Sequence, residues 1–244
     1  MMDVEWVFKA AAPGPDDMTL INAMAMRELG ADEVYTFALR LCDNEIDRDF
    51  ERFDDQALDE LAGLFLGAPG IFDHCWSARG QTARLYHTEV VTEQGQLTSD
   101  GRPYRWLKGW AYMMRTEDNA DLIAEIDGGI KREVSVGCAV ERVTCSICGQ
   151  DLHDCFHEKG EMYNGQICHG VLCGAKDAYE WSFVAVPAQR QAGVVKNKRY
   201  GGPDPHEPGE EPPPSDDGKA LQRAKALLEL EKIRYGGNQN GTNQ

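Results

Sequence analysis

Three stretches of this chain place apolar side chains at every second position, and that two-residue period constrains the fold more than any other feature. In "EVYTFALRL", Tyr35, Phe37, Leu39 and Leu41 alternate with Thr36, Ala38 and Arg40. "GIKREVSVGC" sets Val134, Val136 and Cys138 against Ser135 and Gly137. "AYEWSFVAVPAQ" sets Tyr179, Trp181, Phe183 and Ala185 against Glu180, Ser182 and Val184, and Pro187 ends it. Successive side chains of a strand point to opposite faces, so each stretch reads as a half-buried strand. "TARLYHTEVV" and "WLKGWAYMMRT" read as two more. "DDQALDELAGLFLG" reads as a helix with Asp54 or Asp55 as N-cap and Gly67 as stop, "DNADLIAEIDGG" as a short helix closed by glycines, and "MTLINAMAMREL" as another. Pro13 and Pro15 interrupt what precedes that last helix. Strands with a few interspersed helices predict an α+β fold around a mostly antiparallel sheet or small barrel.

The rest of the chain sets boundaries. At 244 residues and 42% hydrophobic content it can bury one ordinary core with appendages. Residues 1–30 read as an N-terminal extension and 31–198 as the principal domain. From Arg199 the composition changes: "GGPDPHEPGEEPPPSDDG" reads as a disordered acidic linker, and "KALQRAKALLELEKIRY" as a terminal helix. Leu221, Ala224, Leu227, Leu228 and Leu230 give that helix a broad apolar stripe suited to a partner helix. A net charge of −16 argues against phosphate-backbone contacts, so no nucleic-acid partner is expected. No stretch reaches the ~18 apolar residues of a membrane span, and the N-terminus lacks the charged and apolar regions of a signal peptide. The reading therefore predicts a reducing compartment, where eight cysteines point to a metal before disulfides.

"CSICGQDLHDCFH" puts Cys145, Cys148, Cys155 and His157 within thirteen residues. The tight turn of a C-x2-C knuckle brings both sulfurs to one side, and a C-x-H pair can close a tetrahedron. The pattern predicts a closed, structural zinc site in an insertion spanning 145–173. His153 is an alternative to His157, and Cys168 or Cys173 to Cys155. A catalytic zinc would need an open position and a nearby acid or base; Glu158 and Glu161 are at hand, but no H-E-x-x-H helix surrounds them.

The strand around Ser135 raises a different question, because its face carries only Ser135, Gly137 and Ala139. Serine needs a base to become nucleophilic, and the base needs an orienting group. His74 in "FDHCWSARGQTARLY" and Glu180 in "AYEWSF" supply those residue types. Cys138 is a second candidate nucleophile, but the alternation points it away from Ser135; it reads with Cys42 as a small core residue. Cys75 is ambiguous, and Ser182, on the face of Glu180, reads as a hydrogen-bonding neighbour. Asp43, Glu45, Asp47 and Asp49 alternate as in a calcium loop, yet lack the glycine at loop position six and read as a solvated acidic turn. Met24, Met26 and Leu29 read as helix packing.

Taken together, "FDHCWSARGQTARLY", "GIKREVSVGC" and "DAYEWSFVAVPAQRQAGVVK" resemble the prohead (capsid maturation) proteases of tailed bacteriophages, a family similar in fold to the herpesvirus assembly protease. His74 falls on the family's histidine, Ser135 and Gly137 on its Ser-x-Gly, and Glu180, Ser182, Val184, Pro187 and Ala188 on its E-x-S-x-V-x-x-P-A strand. The similarity runs from about Tyr35 to Lys196; the Cys/His segment is an insertion found in a subset of the family. The resemblance implies a small, mostly antiparallel β-barrel with flanking helices. It implies a serine endopeptidase with a Ser135–His74–Glu180 triad, with His87 as the alternative third member and Arg132, Arg79 or backbone N–H groups at the oxyanion. Its partners would be phage major capsid and scaffold proteins, with self-cleavage, and an oligomer is compatible with it. Its place would be the immature prohead in the host bacterial cytoplasm, with residues 199–244 as a tether or a plain tail.

Overall fold

The computed structural model describes residues 12–195. The linker and terminal helix expected over 199–244, and the start of the N-terminal extension, lie outside the described residues.

The elements run α1 (Pro15–Met24), β1 (Val34–Asp43), β2 (Glu51–Phe53), α2 (Asp55–Leu64), β3 (Pro69–Phe72), a short 3-10 turn (Ala78–Gly80), β4 (Ala83–Leu97), β5 (Pro103–Met114), α3 (Ala120–Asp127), β6 (Val134–Cys145), β7 (Met162–Tyr163), β8 (Gln166–Ile167), β9 (Gly170–Phe183) and β10 (Gly193–Val195). The class is α+β, as the alternation predicts. Asp54, of the two candidate caps, accepts the Ala57 N–H at 2.6 Å and starts α2. Pro15 opens α1 rather than interrupting the approach to it, since the first helical position needs no N–H donor. Asp17 closes the entry by accepting the Gly14 N–H at 2.9 Å.

The strands lie in the order β10-β1-β5-β4-β3-β9-β2, with β6 on the other edge of β9. Two pairings are parallel, β9 with β2 and with β3; the rest are antiparallel. Among the described residues the expected barrel does not close. The start of β6 meets β10 at an isolated bridge, Glu133–Gly193, with the Val194 N–H donating to the Arg132 carbonyl at 2.8 Å and the Val134 N–H to the Ala192 carbonyl at 3.4 Å.

One core cluster gathers Tyr35, Phe37, Leu39, Leu61, Phe65, Leu107, Val134, Trp181 and Phe183. A second, of Ile21, Leu29, Val34, Ala38, Tyr86 and Trp110, lies under α1. That second cluster corrects the half-buried reading of β1: every residue of the strand is buried except Arg40, which is partly so, because α1 covers the face that carries Val34 and Ala38. Met24 and Leu29 join this cluster as expected, whereas Met26 is fully exposed beyond the helix end.

The feature that positions the site is the β6–β9 hairpin. Its ladder runs from Val134–Phe183 to Cys145–Gly170, with register shifts at Gly137/Cys138 and Ala139/Val140. Paired residues of an antiparallel ladder share a face. Val134, Val136, Trp181 and Phe183 turn to the core, and Ser135, Gly137, Glu180 and Ser182 to the opposite side. The first shift removes Tyr179 from the line of Trp181 and Phe183. Gly137 faces Glu180 but Cys138 faces Ala178, so Tyr179 is the extra residue of a bulge and ends 41% exposed.

Candidate functional site

β3 runs parallel to β9, with Ile71 opposite Ser182 and Phe72 opposite Phe183, and then turns sharply back. Asp73 and His74 both take positive φ, 51° and 52°, and the Cys75 N–H closes the turn on the Phe72 carbonyl at 2.9 Å. Left-handed backbone is unfavourable for a side chain with a Cβ, least so for Asp, Asn and His. The turn is held from outside: the Asp73 N–H donates to the Phe183 carbonyl at 3.0 Å and the His74 N–H to Ser182 Oγ at 3.1 Å.

So held, the His74 ring meets Glu180, its Nδ1 lying 2.7 Å from Oε1. The Ser182 hydroxyl donates to the other carboxylate oxygen, Oε2, at 2.6 Å. Glu180 and Ser182 are buried, while the His74 side chain remains 42% exposed. A carboxylate accepting at both oxygens calls for the hydrogen on Nδ1, the tautomer of the neutral ring in which Nε2 has its lone pair available. Gly137 makes room for this arrangement: a Cβ there would sit 2.2 Å from Glu180 Oε1. The glycine of the Ser-x-Gly pair is thus a steric requirement of the glutamate on the neighbouring strand.

Ser135 stands directly opposite Ser182, two positions from Gly137 on the face that carries Glu180. It is partly buried, and no hydrogen bond joins it to His74 among the described residues. The structure therefore brings His74 and Glu180 into contact and places Ser135 on the same strand face, opposite Ser182. His87 is elsewhere engaged, its ring 4.9 Å from that of Trp110 on β5, so the Nδ1 partner of His74 is the glutamate. Cys138 packs against the core, and burial first, then the charge of Glu180, push its thiol up to about 11, which leaves it a poor nucleophile. Arg79 and Arg132 are both exposed. No family model matches the chain, and neither does any curated protein or solved structure.

The far end of the same hairpin carries the cysteines. Donor atoms of Cys145, Cys148, Cys155 and His157 all lie within 4.8 Å of one another. The knuckle is built by the Gly149 N–H to the Cys145 carbonyl and the Cys145 N–H to the Gln150 carbonyl, both at 2.8 Å. Burial opposes ionisation of the Cys145 thiol, but N–H groups of Cys148 and Ile147 outweigh it and bring the thiol down to about 6. His157 Nδ1 is buried and takes no hydrogen bond. A thiolate-prone cysteine and a buried imidazole nitrogen free to coordinate suit a metal, and the Cys3His set is consistent with zinc. His153 is exposed and outside the cluster. Cys168 comes close, its sulfur 3.8 Å from that of Cys145, while Cys173 is turned toward Thr144 Oγ1 at 3.8 Å.

The acidic turn is not solvated throughout as read: Asp43 is buried and accepts the Tyr104 hydroxyl at 2.8 Å, and the turn's backbone takes up much of the rest. Asp43 also accepts the Glu45 N–H, and Asp47 Oδ1 accepts the N–H groups of both Asp49 and Glu51. Two features had no signal in the alternation. One is the bulge at Tyr179. The other is Trp76, whose ring lies 5.2 Å from that of Tyr179.

Proposed function

We propose that this chain is a serine endopeptidase of phage capsid maturation, cutting scaffold and coat proteins and itself, with Ser135 as nucleophile, His74 as base and Glu180 as orienting acid. The observation that carries the reading is the His74 Nδ1–Glu180 Oε1 contact of 2.7 Å, formed on the strand face where Ser135 stands opposite Ser182. In this mechanism Nε2 of His74 takes the proton of Ser135 as Oγ attacks a peptide carbonyl. Glu180 holds the ring and stabilises the imidazolium. The imidazolium then protonates the departing amine as the C–N bond breaks, leaving an acyl-serine. Water, deprotonated by His74, attacks that ester and releases the acid and the free serine. Catalytic hydrogen bonds are commonly long without substrate, so a Ser135–His74 bond forming only in the complex is in keeping with this. The edge where β6 meets β10, at the Glu133–Gly193 bridge and the two backbone hydrogen bonds around it, would correspond to the seam of that protease fold's barrel.

Zinc takes a structural role in this reading. Cys145, Cys148, Cys155 and His157 would hold it with four protein ligands, leaving no position for a substrate. Ten strand positions separate Cys145 from Ser135, roughly 30 Å at the rise of a β-strand, so the metal lies too far away to touch the reaction.

The test is labelling by a serine-directed aryl phosphonate, read by intact mass and peptide mapping. The wild type takes one label, on Ser135, and Ser135→Ala takes none while keeping its fold and losing at least about 10⁴-fold in peptide cleavage. A second reading is favoured by the missing Ser135–His74 hydrogen bond: a catalytically silent, zinc-stabilised assembly or scaffold-binding protein. A wild type that takes no label and leaves substrates intact would establish that reading in place of the first.

A further inference from the structure

Two large aromatic side chains stand exposed beside the His74–Glu180 pair, and the residues that carry them are tied to it by the backbone. Trp76 is 70% exposed and Tyr179 is 41% exposed; their rings meet at 5.2 Å with an interplanar angle of 52°. Tyr179 immediately precedes Glu180, and it faces outward only because the bulge opposite Gly137/Cys138 takes it out of the core row of Trp181 and Phe183. Bulges that re-aim a side chain are found next to functional sites. Trp76 lies two residues past His74, on the turn anchored by the His74 N–H to Ser182. The base and the aromatic pair are therefore positioned by the same turn and the same strand.

Resting on the protease reading, we propose that Trp76 and Tyr179 form the wall of a specificity subsite that takes a large apolar or aromatic side chain of the substrate peptide. Tyr179 is three strand positions from Ser182, the partner of Ser135, a distance of about 10 Å. An extended peptide covers that in about three residues, so the recognised side chain lies within three residues of the bond that is cut. A tilted pair of rings offers an apolar face with little rotamer freedom to lose on binding, the property that makes Trp and Tyr dominant in recognition.

The experiment uses the full chain and a peptide library from a digested bacterial proteome, with cleavage sites mapped by mass spectrometry. Wild type should show enrichment of Phe, Tyr, Trp, Leu or Met at one position within three residues of the cut. Trp76→Ala and Tyr179→Ala should flatten that enrichment and lower kcat/KM on the best peptide about 10- to 100-fold, chiefly through KM. Trp76→Phe should restore most of it, and labelling of Ser135 by a small dialkyl fluorophosphonate, which offers no group to the subsite, should persist in all three variants. Labelled variants whose enrichment persists would overturn the subsite and leave the protease reading standing. A wild type without label would overturn both. Light scattering covers the remaining occupant: a wild-type dimer that Trp76→Ala dissociates, with the cleavage profile intact, would make the pair an interface between copies and overturn the subsite.

Discussion

At the scale of single residues, the site depends on one carboxylate and on the space made for it. Glu180 is buried, and it accepts from the His74 ring and from the Ser182 hydroxyl. Glu180→Gln removes the negative charge that stabilises the imidazolium and replaces one acceptor oxygen by an N–H donor, so Ser182 must turn from donor to acceptor or the ring must give up its Nδ1 hydrogen. The expected result is a fall of roughly 10³–10⁴-fold in Ser135 reactivity with phosphonate, with the fold retained by circular dichroism. Gly137→Ala tests the space itself. The new methyl would sit 2.2 Å from Oε1 and 3.1 Å from Cδ, so the carboxylate must move off His74. Denaturant titration should report a loss of about 1–3 kcal/mol, the usual cost of overpacking, and labelling should slow in parallel. A variant with unchanged stability and labelling would show that Glu180 is not confined by the β6 backbone. That Ser135 and Glu180 turn away from the apolar rows of their strands was legible from alternation alone. The steric reason for Gly137 was not, because it lies in the pairing of two strands more than forty positions apart.

Among the elements, the β6–β9 hairpin joins two kinds of chemistry. One end carries Ser135, Glu180 and Ser182, and the other carries the Cys3His cluster that could hold a metal, beyond Cys145–Gly170. Besides the ligands, the loop between these strands is held by the two-residue β7–β8 pairing, a Thr144–Asp151 bridge, and ties such as Lys159 to Glu51 at 2.7 Å and Arg52 Nε to His169 Nε2 at 3.2 Å. Removing the metal with a chelator, or one ligand by Cys148→Ser, should cost about 2 kcal/mol or more, a fall of roughly 5 °C in Tm. Amide exchange over 146–169 should speed up first. Labelling of Ser135 well below the transition should persist; its immediate loss on chelation would mean that the metal takes part in the reaction. The C-x2-C…C-x-H spacing was enough to find this cluster, because its ligands are local in sequence. The two bulges were not visible, since an extra residue in a ladder leaves the apolar count unchanged, and Tyr179 was assigned to the wrong face for that reason.

Across the whole molecule, the α+β class followed from the patterns, and the strand order did not. Parallel pairing of β9 with β3 and β2 joins segments roughly a hundred positions apart, and no local period encodes it. The second core cluster was hidden for a similar reason: Ala38 reads as a neutral outward residue until α1 is known to lie over it. Both clusters close within residues 12–195. Deleting residues 203–244 should therefore leave Tm within about 2 °C and the labelling rate of Ser135 unchanged. A large drop in either would show that the acidic end of the chain belongs to the folded unit.

The hairpin ladder also acts as a ruler with a parity rule. Adding two residues to each strand between the second register shift and the cysteines would carry the metal end outward and preserve which side every residue faces. A single added residue would invert one strand's sides, forcing the sheet to slip or to grow another bulge. Lineages of this protein should accordingly vary the length of that arm in even steps, while the stretch from Val134 to Gly137 keeps its spacing.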